Sequence, residues 1–445
     1  MRLFAGLFAH GDAAAQVSDE ALLHAMVEVE VALLGTLADL ELAPTEAARE
    51  LADAVASGRL ELDLDELGRG TAQQATPIPA LLKALRRQLS GTAAANLHKG
   101  ATSQDVIDTA IMLVTRRALD AVLADLSGAA DACAELAQRH REAIVPGRTL
   151  LQQALPVTFG LKAAHWLSGL DGTRADLGAV RETELAVQFG GAVGTLANLG
   201  DRGLEVAAGL AERLELSAPA LPWHTIRLGP VRIAAALGAT LGLLGKIGRD
   251  VVLLAQSEVA EVAEAGGEGR GGSSTMPHKR NPVGGIGLIA CAQRAPGLVA
   301  TMLAAMPQEH ERGPGTWQAE WDTLLELLRL TGSSAAIARE LLAGLEVDPE
   351  KMRADMDLTG GLVMSESVAA ALASSMGRSD AHDLVEKAAR RSVESGREFR
   401  AVLLELPEVA DGLGEDGLDR ALDPAGYLGV SAELIDRALA GHRGG

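Results

Sequence analysis

The chain has 445 residues, enough for a large core and for two or three domains. Its 60 acidic and 40 basic side chains leave a net charge of −20, which excludes a general nucleic-acid or membrane-surface binder. Any anionic ligand must therefore be met by cations gathered locally. With aromatics at 2%, the core must be Leu, Val, Ala and Met, a composition that favours helices over strands and gives an all-α fold as the starting expectation. Two cysteines, Cys133 and Cys291, lie in apolar helical runs; they read as core thiols of a protein from a reducing compartment, the cytoplasm.

The opening MRLFAGLFAHGDAAA is too thin for a secretory signal and is read as mature sequence. From Ser18, SDEALLHAMVEVEVALLGTLADL has an N-cap, acidic residues in its first turn, and apolar Leu22, Met26, Val29, Leu33, Leu37 and Leu40 at helical spacing. Pro44, Ser57-Gly58, Pro77 and Pro79 punctuate shorter helices up to Gly100. Long helices are then expected over 103–142, 157–189, 229–265, 282–306 and 317–345.

The segment GPVRIAAALGATLGLLGKIG is apolar all round, which implies cover on every side and hence an oligomer. Arg232 and Lys246 interrupt it and Arg249 and Asp250 follow it at once, so no membrane span is expected. After Pro349 the helices shorten again. The expected organisation is an N-terminal helical domain over 1–102, a central long-helix bundle over 103–348 and a small C-terminal helical domain over 349–445.

One stretch departs from this pattern: GGEGRGGSSTMPHKRNP, residues 266–282. Its glycines free the backbone, and the polar set that follows sits before a new helix expected to be capped by Asn281 with Pro282 in its first turn. A helix start offers free N–H groups and a favourable dipole to an anion. A phosphate-binding Walker loop is excluded because Lys279 is followed by Arg280 and the segment before the glycines reads as helix. A surface linker has no use for the second half, whereas a closing catalytic loop does.

GSSTMPHKRNP resembles the signature GSSxMPxKxNP of the fumarase/aspartase superfamily, and HKGATSQDVIDTA from His98 and GRTLLQQALPVTFG from Gly147 follow the family's other segments in order. The resemblance implies a three-domain helical subunit, a homotetramer with active sites shared between subunits, and proton transfer beside a carboxylate through an aci-carboxylate, with no metal or cofactor. It carries Ser273 over as the base, and Lys279 and Asn281 as stabilisers of the doubly charged intermediate. A Ser hydroxyl acts as a base only where nearby cations and N–H donors favour its anion, which Lys279, His278 and the helix start would supply. Thr102, Ser103 and Gln152 fall on family positions that bind substrate carboxylates, and His98 and Arg312 would add positive charge.

In relatives that expel an amine or hydroxide, the second motif reads GxTHxQ and its His protonates the leaving group; here Leu150 takes that place. A carboxylate, whose conjugate acid has a pKa of about 4, leaves unaided. The departure points to the branch in which a carboxylate of a small tricarboxylate substrate adds across a double bond of the same molecule. The adenylosuccinate type of carbon–nitrogen lyase is the alternative, but AQQATPIPALLKAL lacks its Arg-His-Asp element. Trp223 and His224, in PWHTIR, are read as pocket wall.

Overall fold

The computed structural model describes residues 3–266, 271–272, 275–276 and 279–444. Helix α1 (Asp19–Asp39) starts where its cap residue dictates, with Ser18 Oγ accepting the Ala21 N–H at 3.2 Å. Met26, Val29, Leu33 and Leu37 point inward from it. Short helices follow as far as Asn96. The chain then builds α2 (Ser103–Arg139), strands β1 (Ile144–Thr149) and β2 (Gln152–Thr158), α3 (Phe159–Thr183), α4 (Leu228–Leu254), strand β3 (Val262–Glu264), α5 (Val283–Ala304), α6 (Thr316–Ala343) and strand β4 (Leu345–Val347). Short helices continue from Pro349 to Gly444. The fold is all-α, with two small antiparallel ladders, β1 with β2 and β3 with β4.

Contacts divide the chain into two compact units. Unit 1 comprises Met1–Ser127, Gly172–Lys246 and Gly287–Ala338; unit 2 comprises Gly128–Asp171, Ile247–Ile286 and Arg339–Gly445. The boundaries fall inside α2 to α6. In unit 1, helix Gly203–Leu214 lies so close to α1 that a Cβ at Gly209 would come within 2.6 Å of the Thr36 methyl. Unit 2 closes its C-terminal part on Val368, Leu372, Val385, Phe399, Leu403 and Leu418.

Two expectations change. Helix α4 stops at Leu254, well short of 265, and the chain straightens into β3, paired in register Val262 to Val347 and Glu264 to Leu345. The β-branched Val259 and Val262 and the left-handed turn at Ala260 (φ 49°) break the helix there. The segment before the glycines is thus a strand, and only the Lys279-Arg280 pair still excludes a Walker loop. Secondly, α1, α4 and α5 have the length and hydropathy of membrane-crossing helices, with mean values of 1.6, 1.5 and 1.4. Of the apolar 18-residue stretch in each, 67% is buried within the protein in α1, against 50% in α4 and 28% in α5. The exposed positions of α4 are Leu228, Arg232, Ala235, Ala239, Gly242, Lys246, Arg249 and Leu253, a stripe stepping alternately by three and four residues.

Two glycines of α3 give opposite expectations. A Cβ at Gly160 would meet the Ala137 carbonyl oxygen and Arg141 Cα, both at 2.7 Å, and backbone atoms cannot swing aside. Gly172 has nothing within 4 Å. Gly160→Ala should cost about 1–3 kcal/mol, and Gly172→Ala should gain up to about 1 kcal/mol, in urea unfolding.

Candidate active site

The head of α2 is packed with polar groups. Gln104, Asp105, Asp108 and Thr109 are all buried there. Asp105 reaches back to accept the Thr102 N–H at 3.0 Å, capping its own helix, and also accepts the N–H groups of Gly190 at 3.0 Å and Gly191 at 2.9 Å. Gln188 Nε2 at 3.2 Å and His224 Nε2 at 2.8 Å complete its shell. Gly191 sits at φ 70°, where a Cβ would also strike the Gly100 carbonyl oxygen at 2.9 Å, so only glycine fits that turn.

One turn further along α2, Asp108 takes Nη1 of Arg227 at 2.7 Å and Nη2 at 3.0 Å. Glu320 of α6 takes the Nε side of the same guanidinium, at 3.0 Å and 2.6 Å. Trp317 Nε1 donates to Asp108 at 3.0 Å, Gln308 Nε2 donates to Glu320 at 2.8 Å, and the Trp223 ring lies 4.8 Å from the guanidinium carbon. Burial opposes the Arg227 charge, but the two carboxylates outweigh it and hold its pKa above the ordinary value. Burial also pushes the Glu320 carboxyl up; Arg227 pulls it back, and Asp108 adds repulsion.

Around this network, unit 1 brings together three of the residues singled out from the sequence. Thr102 and Ser103 are half-buried at the helix start. Arg312 reaches them through Gln104, donating from Nε to Gln104 Oε1 at 3.2 Å and from Nη2 to the Ala192 carbonyl at 3.1 Å. Both partners are neutral, so its charge is not spent on a carboxylate among these contacts. His98 stands at φ 63°, its Nδ1 lying 2.6 Å from Oε1 of buried Glu30. Lys99 donates to the Leu42 carbonyl at 2.6 Å.

Unit 2 holds the rest. The GRTLLQ segment is not helical: it is the tip of the β1–β2 hairpin, with Thr149 paired to Gln152 and Leu150 and Leu151 forming the turn at φ 51° and 64°. Such two-residue turns normally take Asn-Gly, and here both leucines are exposed, Leu150 at 96%. Gln152 is an exposed strand residue, not a helix-end partner. Arg148 turns away from the tip and binds buried Glu261 through two bonds of 2.8 Å and 2.7 Å. Burial raises the Glu261 carboxyl, with Arg148 opposing.

On the catalytic-loop candidate, Ser273 and His278 lie outside the described residues. Lys279 is exposed, its N–H bonded to the Met276 carbonyl at 3.0 Å, and the Asn281 N–H bonds the Gly271 carbonyl at 2.8 Å. Helix α5 begins at Val283, and its cap is not Asn281 but Glu264, whose carboxylate accepts the Gly284 and Gly285 N–H groups, each at 2.9 Å. The anion expected at that helix start is therefore the protein's own.

A family model described as "Lyase" matches residues 12–297, and one described as "Adenylosuccinate lyase C-terminus" matches residues 361–438. The chain belongs to the fumarase/aspartase superfamily of lyases. Within the superfamily it is 48% identical over 445 residues (99% of this chain, 96% of the other) to a 3-carboxy-cis,cis-muconate cycloisomerase of Pseudomonas aeruginosa. The crystal structure of a 3-carboxy-cis,cis-muconate lactonizing enzyme from Pseudomonas putida is similar at 42% identity and a TM-score of 0.93, covering 100% of this chain and 99% of that one. A nitrosuccinate lyase of Streptomyces davaonensis is 42% identical over 438 residues, 96% of this chain and 92% of that one.

The sequence reading missed the buried residues that brace the candidates within each unit: Asp105, Asp108, Arg227 and Glu320 in unit 1, and Arg148 with Glu261 in unit 2. The available signal was the polar run QDVIDT directly before the apolar run AIMLV in the same helix. Arg227→Met would strand two buried carboxylates and should cost about 3–5 kcal/mol at pH 7. A carboxyl whose folded-state pKa is raised, as for Glu320, gives stability at low pH that is lost as pH rises through that value. The variant's deficit in urea unfolding should therefore shrink from pH 7 to pH 5.

Proposed function

We propose that the protein is a cycloisomerase that converts 3-carboxy-cis,cis-muconate to 4-carboxymuconolactone, in the cytoplasm and within protocatechuate breakdown. The observation that carries this reading is the 48% identity, over 99% of the chain, to a cycloisomerase of that name. The chemistry of the hairpin tip supports it, because Leu150 has no proton to give and a carboxylate leaving group needs none.

In lactonisation, one substrate carboxylate oxygen attacks C4 and the C–O bond forms as the double-bond pair moves to the neighbouring carbon. That carbon's charge spreads into its own carboxylate as an aci-carboxylate, and Ser273 delivers the proton that completes the isomerisation. Lys279 and Asn281 stabilise the developing double charge. Thr102, Ser103 and Gln152 donate hydrogen bonds to the carboxylates, and His98 and Arg312 supply positive potential. No metal or cofactor enters this scheme.

The proposed assembly is a homotetramer whose active sites take residues from more than one subunit. It is supported by the exposed stripe on α4, where Leu228, Ala235, Ala239, Gly242 and Leu253 alternate with Arg232, Lys246 and Arg249 at coiled-coil spacing, and by the two leucines exposed at a strained turn. The domain organisation stays as proposed from the sequence, with 1–102, 103–348 and 349–445 as its three parts. A carbon–nitrogen lyase is the second reading, favoured by the nitrosuccinate lyase similarity.

Loss of the conjugated diene's ultraviolet absorbance, with carboxymuconolactone as product, is the expected result on mixing the protein with 3-carboxy-cis,cis-muconate. Inertness there, with nitrosuccinate or adenylosuccinate consumed in parallel, would replace the first reading by the second. Ser273→Ala should lower kcat by at least about a hundredfold with the melting temperature unchanged. Light scattering at micromolar concentration should give four times the 46.0 kDa chain mass; a monomer would refute the shared site.

A further inference from the structure

His224 is 4% exposed, and its Nε2 is bonded to Asp105 at 2.8 Å. That bond fixes a proton on Nε2 and leaves Nδ1 as the atom the ring can offer elsewhere. Among the described residues Nδ1 has no hydrogen-bond partner. The turn from Gly190 to Gly194 packs closely on the ring: a Cβ at Gly190 would stand 2.9 Å from His224 Cε1, and one at Gly194 would stand 4.0 Å from Nδ1 itself. The same turn carries the Ala192 carbonyl that receives Arg312, and Gln104 bonds both Arg312 and, at 2.8 Å, the His224 carbonyl. Thr102, Arg312 and His224 are thus tied to one hub, Asp105 and its neighbour Gln104, with Ser103 between Thr102 and Gln104 in the chain.

Asp105 is 1% exposed, and the other four donors in its shell are neutral amides. Of the groups bonded to Asp105, His224 is the one that can also serve it as a cation. As an imidazolium it carries a second proton on Nδ1, which requires an acceptor of its own. We propose that His224 is a substrate-binding residue whose Nδ1–H donates to a carboxylate of the substrate, beside Thr102, Ser103 and Arg312, with Asp105 as its positioning residue. The proposal rests on the reading of the substrate as a tricarboxylate. It gives PWHTIR a binding role in place of that of a pocket wall.

The test compares the unaltered enzyme with His224→Gln, using the KM for 3-carboxy-cis,cis-muconate and calorimetric binding of tricarballylate, a tricarboxylate that cannot react. Loss of a hydrogen bond between charged groups should raise KM and the tricarballylate Kd about ten- to hundredfold, with a smaller change in kcat. A purely structural His224 would instead lower the melting temperature and leave both constants of the folded enzyme unchanged, which would overturn the proposal. If the unaltered enzyme ignores the muconate, the proposed function falls, and the tricarballylate Kd still decides the role of His224. If the variant does not assemble, a crystal of the unaltered enzyme soaked with tricarballylate decides it. A carboxylate oxygen at about 2.7–3.2 Å from His224 Nδ1 supports the contact, and its absence there refutes it.

Discussion

Asp105 accepts hydrogen bonds from Thr102, Gln188, Gly190, Gly191 and His224, and few single groups in the chain fix so much backbone. Its bonds to Thr102 and to the Gly190-Gly191 turn come from main-chain N–H groups, so the carboxylate sets the path of the loops that carry the candidate binding residues. A neutral isostere would present a donor where these N–H groups need an acceptor. One turn along the helix, Asp108 does the same for side chains, holding Arg227 against Glu320 and receiving Trp317. The two aspartates make the head of α2 a rigid buried polar layer, and such layers specify one arrangement only when every member is satisfied.

Unit 2 solves its local problem with the same device. Buried Glu261 holds Arg148, and with it the turn end of the β1–β2 hairpin, while Glu264 caps α5 at Gly284 and Gly285. These two carboxylates stand on either side of Val262 and Ala263, next to the start of the glycine-rich stretch. The loop candidate thus hangs between two fixed points, the strand β3 and the capped start of α5.

The long helices were legible because Ala- and Leu-rich periodicity over 22 to 37 residues is a strong local signal, and Ser18 announced its own cap. The β1–β2 hairpin was not legible, since Leu150-Leu151 violates the turn chemistry by which hairpins are read. The end of α4 was overrun because Val and Ala at 259–263 fit a helix as easily as a strand until β4 pairs with them. Within the site, Thr102, Ser103 and Arg312 were named through family resemblance, but the contacts that gather them were invisible locally. Asp105 meets His224 across 119 positions, and Arg312 meets Gln104 across 208. Sequence pattern records which residues are polar in an apolar helix; only tertiary structure says which of them are partners.

The electrostatics bear on the proposed chemistry. A chain of net charge −20 repels a trianion at long range, and salt screens that repulsion within roughly 10 Å. Binding then turns on what the substrate meets at contact distance. In unit 1 Asp108 and Glu320 are both turned onto Arg227, and Glu30 accepts the backbone N–H of His98 and faces its Nδ1. Arg312, held only by neutral oxygens, keeps its charge available. Two carboxylates share the one guanidinium of Arg227, so positive potential at the proposed site would come from Arg312 and not from that buried layer. The proposed chemistry also explains the absence of an acid at position 150. Where the leaving group is itself a carboxylate, a proton donor gains nothing, and the turn is free to carry leucines.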